Sequence, residues 1–340
     1  MQKHFTAPEM VTQYWVGLSD KGLIAPMLPQ NMMLRRGYFV AEFIMPQASG
    51  QVILNHQIQD GMARNFSVFC DPVAGISILH RRGVTVARHM LKGPLPQIDG
   101  PARLTFRFDL DADSWEIGFE PLTDGAKVRV ATGSSPLDLD IADISAICSC
   151  ADRHKNLLWF GFCQGGDLPK SGPWISQRTM IPTQRGFVAA GHLDRGDIVF
   201  TLDHGPLRLR AVHRFEVPAR GSFAPVLLRA PFFAHSQDLL VSADQNLLIS
   251  SGEVEYLFGT DSVLMAASQV VDGRTALADE RRAVISALRL DVGRPALIDV
   301  GGLVLTIGQG AASGHDYLSL NRFQVATLMA MLRRQVSRVA

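Results

Sequence analysis

The sequence predicts a mainly β protein in two parts: an N-terminal antiparallel β-sandwich of jelly-roll type, then a compact, strongly curved all-β domain that ends in one long helix. Three observations predict this. Residues 103–120 alternate apolar and polar side chains across a short acidic turn, residues 179–201 crowd short strands and glycine turns into one stretch, and residues 321–339 carry an apolar helical face. A length of 340 residues favours about two domains, each large enough to bury a core.

Between about residues 37 and 150, short apolar runs alternate with turns, as in an antiparallel sandwich. Strands are expected at 38–44, 51–55, 65–70, 75–80 and 84–88. The clearest pair is the hairpin 103–110 and 114–120. There Leu104, Phe106, Phe108 and Leu110 share one side, and Trp115, Ile117 and Phe119 match them across the turn at Asp111 to Asp113. Residues 136–147, with Leu137, Leu139, Ile141, Ile144 and Ile147, read as a strand passing into a helical turn near Asp143. The run 164–173 is rich in glycine and proline, which sets the sandwich at 1–160, a linker at 161–175 and the second domain at 176–340.

In the second domain, strands are expected at 179–181, from Phe187, and at 198–201. The turns between them fall at Gln184 to Gly186 and at Leu193 to Asp197. The helix 321–339 places Phe323, Val325, Ala326, Leu328, Met329 and Leu332 on an apolar face. Arg333, Arg334 and Arg338 stand near its C-terminus, where positive charge complements the helix dipole. Docking onto its own domain is the favoured role of that face, over a partner or a membrane surface.

Apolar residues make up 47% of the chain and charged residues 19%, with a net charge of +1. Such a balance has no basic excess for nucleic acid and no acidic tail. The first residues lack an apolar core of signal-peptide length, and no run approaches the roughly 18 apolar residues of a membrane helix. The expectation is a cytoplasmic protein, or one exported by a route without an N-terminal signal peptide. The four cysteines, at 70, 148, 150 and 163, show no framework spacing and are expected to be reduced. No internal repeat or low-complexity run is present.

The segment 177–201 resembles the opening of bacterial Hint (hedgehog/intein) domains, which reads Cys-Phe-x-x-Gly-Thr-x-Ile-x-Thr-x-x-Gly, then Leu-x-x-Gly-Asp and a strand ending in Thr. The matching residues are Thr179, Ile181, Thr183, Gly186, Leu193, Gly196, Asp197, Val199 and Thr201. A second block, 238–249, is similar to the strand that ends in Ser-Pro-x-His, with Ser242 at the serine and Gln245 at the histidine. A third, 288–303, is similar to the closing strands, with Pro295 where many relatives carry a further histidine. Residues 252–258 and 266–273 extend the series, so the resemblance spans roughly 164–325. The N-terminal rhythm is similar to concanavalin-like or laminin-G-like jelly rolls.

The resemblance implies an N-to-S acyl shift at a cysteine five residues before Thr179. Trp174 stands there. The reaction needs a thiol or hydroxyl to attack the preceding carbonyl and a donor to stabilise the intermediate. Indole supplies no nucleophile, and a neutral amide does not shuttle a proton as imidazole does. The expectation is a degenerate site in which Trp174 fills the space of the scissile junction. Cys163 and Ser176 are the nearest thiol and hydroxyl, but using either breaks the register with Thr179, and near-attack geometry tolerates errors of only about an ångström. Asp197 is expected to cap local amides in its turn.

Other chemistry is sparse. Asp109, Asp111, Asp113 and Glu120 fall at the spacing of a calcium loop but also form the hairpin, with Ser114 in place of the template's glycine. Cys148, Cys150 and His154 suggest zinc only if further ligands lie nearby, and His192, His204, His213 and His235 are spaced irregularly. Residues 161–166 lack the lysine of a phosphate loop, and no serine elbow occurs. No cofactor is implied.

The functional expectation is a processing-inactive Hint-like module acting through structure or binding, with a protein partner or a glycan. The alternatives are a self-cleaving protein with a displaced nucleophile, and a carbohydrate-binding protein acting through the sandwich.

Overall fold

The computed structural model describes residues 14–25, 27–46, 49–59, 61–122, 127–165, 173–232, 235–308 and 316–339. In it, Pro101–Asp109 pairs with Ser114–Pro121 in the register the alternation demands: Leu104 opposite Phe119, Phe106 opposite Ile117, Phe108 opposite Trp115. Leu104, Phe106, Phe108, Ile117 and Phe119 are buried, while Leu110 and Trp115 at the hairpin's end are half-buried. The hairpin lies in a seven-stranded sheet whose order is Arg129–Gly133, Ser114–Pro121, Pro101–Asp109, Arg36–Ile44, Leu157–Gln164, Tyr14–Leu18 and Gly22–Leu23. A five-stranded sheet, ordered Asp152–Arg153, Gln51–Gln59, Ala63–Asp71, Gly75–Arg82 and Thr85–Lys92, shares one apolar core with it. Phe39, Phe106 and Phe160 of the first sheet meet Phe66, Val68 and Ile78 of the second, with the Phe39 and Phe66 rings edge-on at 5.2 Å. Each such side chain contributes roughly 1.5–3 kcal/mol by leaving water.

Met33–Leu34 pairs with Leu139–Asp140, and the chain then enters helix α1 (Ile141–Cys150). Asp140 caps it by accepting the Asp143 N–H at 2.7 Å, and Ile141, Ile144, Ile147 and Cys148 form the buried stripe.

The chain divides into two compact units, residues 1–168 and 169–340. Residues 161–164, read from the sequence as linker, complete the strand Leu157–Gln164, because Phe160 and Phe162 alternate into the core regardless of the glycine between them. At the other end Trp174 is buried and Ile175 is already strand. Residues 166–172 lie outside the described residues.

The described residues of the second unit form three sheets. The first runs Ala211–Pro218, Val284–Asp291, Ile175–Ser176, Leu239–Val241, Val226–Leu228, Ala276–Ala278. The second runs Gly186–Ala189, Met180–Thr183, Ile198–Thr201, Gly205–Arg208. The third runs Ala296–Asp299, Val304–Ile307, Asn246–Ser250, Ser262–Ala266, Leu318–Ser319. Helix α2 (Gly252–Phe258) starts on a Ser251 cap and stops at Gly259, whose φ of 66° is left-handed.

Helix α3 (Arg322–Val339) closes the unit. Asn321 accepts the N–H groups of Phe323 and Gln324, while Gln324 accepts that of Asn321, a reciprocal cap. Val325, Leu328 and Met329 join the unit's core, so the helix docks on its own domain. The apolar face is narrower than expected: Phe323 is 84% exposed and Ala326 is exposed, since only positions three and four apart share the inward stripe. The side chains of Arg333, Arg334 and Arg338 lie outside the described residues. Among the described residues no helix is long and apolar enough to cross a membrane.

Candidate functional site

Ile175 sits mid-sheet, opposite Val241 on one side and Leu288 on the other, which pins the peptide bond just before it. The Trp174 N–H donates to Ser242 Oγ at 3.0 Å, and the Ser242 N–H donates to the Trp174 carbonyl at 3.0 Å. The Pro173 carbonyl accepts from Arg289 Nε at 3.3 Å. The Pro173–Trp174 amide is therefore held at both ends: a guanidinium polarises its carbonyl and a hydroxyl holds its N–H. Arg289 in turn lies over the Phe215 ring, its Cζ 5.8 Å from the centroid.

The Trp174 side chain is 1% exposed and packs among Val217, Ala219, Ile285 and Ala287. Its indole N–H has no hydrogen-bond partner among the described residues. Gln245, also buried, donates from Nε2 to the Thr306 carbonyl at 2.8 Å and to the Asn246 carbonyl at 3.1 Å. Trp174, Gln245, Arg289 and Thr306 line a cavity of about 10 Å³. That is near the lower limit for a single water. The structure thus brings Trp174 and Gln245 together from separate sequence blocks. Pro295 is elsewhere, in the turn before Ala296–Asp299.

Among the described residues of the second unit, no thiol or hydroxyl is placed to attack this amide. The Ser242 hydroxyl, by accepting the N–H, lies near the amide plane, whereas addition to a carbonyl carbon requires approach from above that plane. Ser176 accepts the Arg178 N–H at 3.3 Å and faces a different cleft. Cys163 is a buried residue of the first unit's seven-stranded sheet.

The remaining Hint-pattern residues build turns. Thr183 Oγ1 donates to the Gly186 carbonyl at 2.7 Å and accepts the Arg185 N–H; Thr201 does the same across Gly205 and His204. Gly186 and Gly196 have φ of 89° and 97°, which only glycine adopts without strain. Asp197 accepts the Asp194 N–H at 3.0 Å and pairs with Arg185 at 3.1 Å. Thr179 is buried, and its hydroxyl has no partner among the described residues.

At the other end of the same two-residue strand opens a cleft of about 700 Å³. Ser176, Arg178, Leu240, Arg282, Ile285 and Ser286 are among its walls. Asp279, which also lines it, binds Arg281 through both oxygens at 2.7 and 2.8 Å. That pairing holds the Asp279 carboxyl below the usual carboxylate range. Neither the cleft nor the Arg289 contact carries a sequence signal, since both depend on strands drawn from distant parts of the chain.

In the sandwich, the calcium-spaced carboxylates are dispersed. Asp109 pairs with Arg36 and accepts two turn amides, Asp111 pairs with Arg35, Asp113 accepts the Ser135 N–H, and Glu120 pairs with Arg103. Asp109 and Glu120 stand at opposite ends of the hairpin, six residues apart along the ladder, roughly 20 Å. Cys148 is buried, which pushes its thiol up to about 12, while Cys150 is exposed. Among the described residues, no three His, Cys, Asp or Glu side chains stand where they could hold a metal. His192, His204 and His213 are exposed, whereas His235 is buried with its Nε2 3.2 Å from the Leu228 carbonyl.

Residues 175–305 match the family model described as Hint domain, and this segment of the chain is a Hint domain. Among solved structures, the chain is similar to the MchDnaB-1 intein at 13% identity and a TM-score of 0.28, over 38% of this chain and 98% of that one. It is similar to the CBM40 of the Ruminococcus gnavus IT-sialidase at 12% identity and a TM-score of 0.23, over 39% of this chain and 65% of that one. A likeness to scytalido-glutamic peptidase has 7% identity and a TM-score of 0.17, over 81% of this chain and 95% of that one. TM-scores this low carry nothing about activity. No curated protein matches the chain.

Proposed function

We propose that this Hint domain does not process itself and serves as a module that binds a partner protein. The observation that carries the reading is the buried Trp174 side chain at the nucleophile position, beside a cavity of about 10 Å³ in which Gln245 is committed to the Thr306 carbonyl. An acyl shift needs a nucleophile against the carbonyl face and a proton donor for the departing nitrogen. Among the described residues neither stands at the Pro173–Trp174 amide, although its carbonyl and N–H remain gripped.

Binding to a protein is favoured over glycan binding through the sandwich by where exposed aromatics stand. Among the described residues, the aromatics that stand exposed, Phe187, Phe200, Tyr256, Tyr317 and Phe323, all belong to the second unit. On the central strands of the five-stranded sheet the outward Asn55, Asn65 and Ser67 are tied to one another, and Phe69 on the same face is half-buried.

The test is the intact mass of full-length protein before and after several days with excess thiol at neutral pH. A single unchanged mass near 37.2 kDa is expected. Two fragments that sum to the whole would overturn the reading and locate the nucleophile.

A further inference from the structure

The sheet that contains Ile175–Ser176 has a gap in it. At Ile175 the flanking strands stand two strand spacings apart, roughly 9.5 Å, because each pairs with it from one side. After Ser176 the chain turns out of the sheet: the Thr179 N–H bonds the Ser176 carbonyl at 3.0 Å, and the Gly191 N–H bonds the Gln177 carbonyl at 2.8 Å. The flanking strands continue. Val284, Ile285 and Ser286 remain paired on their outer side with Pro218, Val217 and Glu216, and Leu239 and Leu240 with Leu228 and Leu227. Their inner sides face each other across the cleft, with the width of one strand between them. Successive residues of an antiparallel strand direct their N–H and C=O groups alternately to the two sides. Both walls of the slot are therefore strand edges that can pair with a third.

The surroundings narrow what fits. The slot's charged lining is Arg178, Arg281 and Arg282 against Asp238 and Asp279. Asp279 and Arg281 neutralise each other, and Asp238 keeps its charge while accepting the Ala230 N–H at 2.9 Å. Arg178 and Arg282 against Asp238 leave the lining an excess of one positive charge. Next to the slot runs an exposed apolar row. Phe187, itself on the cleft wall, lies opposite Pro182. The register that sets Thr183 opposite Val199 brings Pro182 beside Phe200. Phe187 is 59% and Phe200 42% exposed.

We propose that this slot takes up an extended segment of a partner polypeptide as an added strand continuing the line of Ile175–Ser176, with an acidic side chain of the segment meeting Arg178 and Arg282 and apolar ones meeting Phe187. Main-chain pairing to both walls supplies affinity, and the arginines and the apolar row supply selectivity. The inference rests on the binding-module reading and gives that module its site and its class of partner.

The test pans random ten-residue peptides displayed on phage against the full-length protein, then titrates the enriched peptides, synthesised with a fluorophore, by anisotropy. Enriched sequences are expected to alternate apolar and polar residues and to carry Asp or Glu. Amide exchange is expected to slow at 239–240 and 284–286 on binding. Ser286→Trp sets a bulky side chain in the slot from an exposed position and is expected to weaken binding about tenfold or more, as is Arg282→Glu, which leaves the strands untouched. Absence of enrichment, affinity for either variant equal to that for the parent, or protection elsewhere overturns the slot. The intact mass of the same preparation separates the two claims: fragments overturn the processing-inactive reading, whereas an intact chain without peptide binding overturns the slot alone.

Discussion

The two ends of the strand Ile175–Ser176 differ sharply. Before it, the amide at Trp174 is closed in beside a cavity of about 10 Å³; after it, the chain leaves the sheet and a cleft of about 700 Å³ opens. One end has packing where the family pattern calls for chemistry. The other has strand edges that no strand among the described residues pairs, where a sheet would ordinarily continue. Trp174 joins Val217, Ala219, Ile285 and Ala287 in a local core, so the position five residues before Thr179 is filled by packing. Two residues further on, Ser176 contributes nothing comparable and leaves room instead.

That contrast predicts unequal sensitivity to mutation. Trp174→Cys removes most of a buried indole and is expected to destabilise the chain by about 3–5 kcal/mol, read by chemical denaturation. A cost below about 1 kcal/mol would mean that the closed end is not a packed core.

Acid should separate these two ends from the sandwich. Burial, then the charges of His89 and Arg82, pushes His80 down to about 4, and burial does the same to His89. The folded values lie below the unfolded value near 6.5, so the unfolded chain binds more protons between about pH 6.5 and 4 and the sandwich loses stability as pH falls through that window. No histidine lines the cavity or the cleft. Urea unfolding at stepped pH is expected to show a loss of a few kcal/mol confined to the sandwich, followed through Trp15, Trp115 and Trp159 in a Trp174→Phe background. A His80→Gln, His89→Gln variant is expected to flatten the dependence, and an unchanged slope would contradict the assignment.

Gln245→Leu deletes the donor to the buried Thr306 carbonyl and is expected to cost about 1–3 kcal/mol in the same denaturation measurement. Arg282→Ala, on the rim of the open end, should fall within about 0.5 kcal/mol of the parent. A large loss there would mean that the cleft is structural and not a free surface.

The parts of this picture that were legible in the sequence were local. The 103–120 hairpin followed from its two-residue period and α3 from its apolar spacing. Where several partners competed for one group, the pattern misled: Asp109, Asp111 and Glu120 have calcium spacing but are each engaged by an arginine. Phe323 has the chemistry of a core residue and the wrong angular position for one. The slot was not legible, because it is made by Leu239–Leu240 and Val284–Ser286 flanking a strand of only two residues. Nor was Arg289, which reaches Pro173 across 116 residues of chain.

On the proposed function, the Pro173–Trp174 amide remains gripped as for reaction and lacks only a nucleophile and a proton donor. The most direct measurement is the intact mass of the Trp174→Cys, Gln245→His double variant, shown to be folded by circular dichroism and incubated with thiol beside the parent protein. Release of residues 1–173 from residues 174–340 is expected in the variant, with the parent unchanged. A folded variant that stays whole would contradict it, and would mean that the contacts from Arg289 and Ser242 hold the chain in place without preparing it for cleavage.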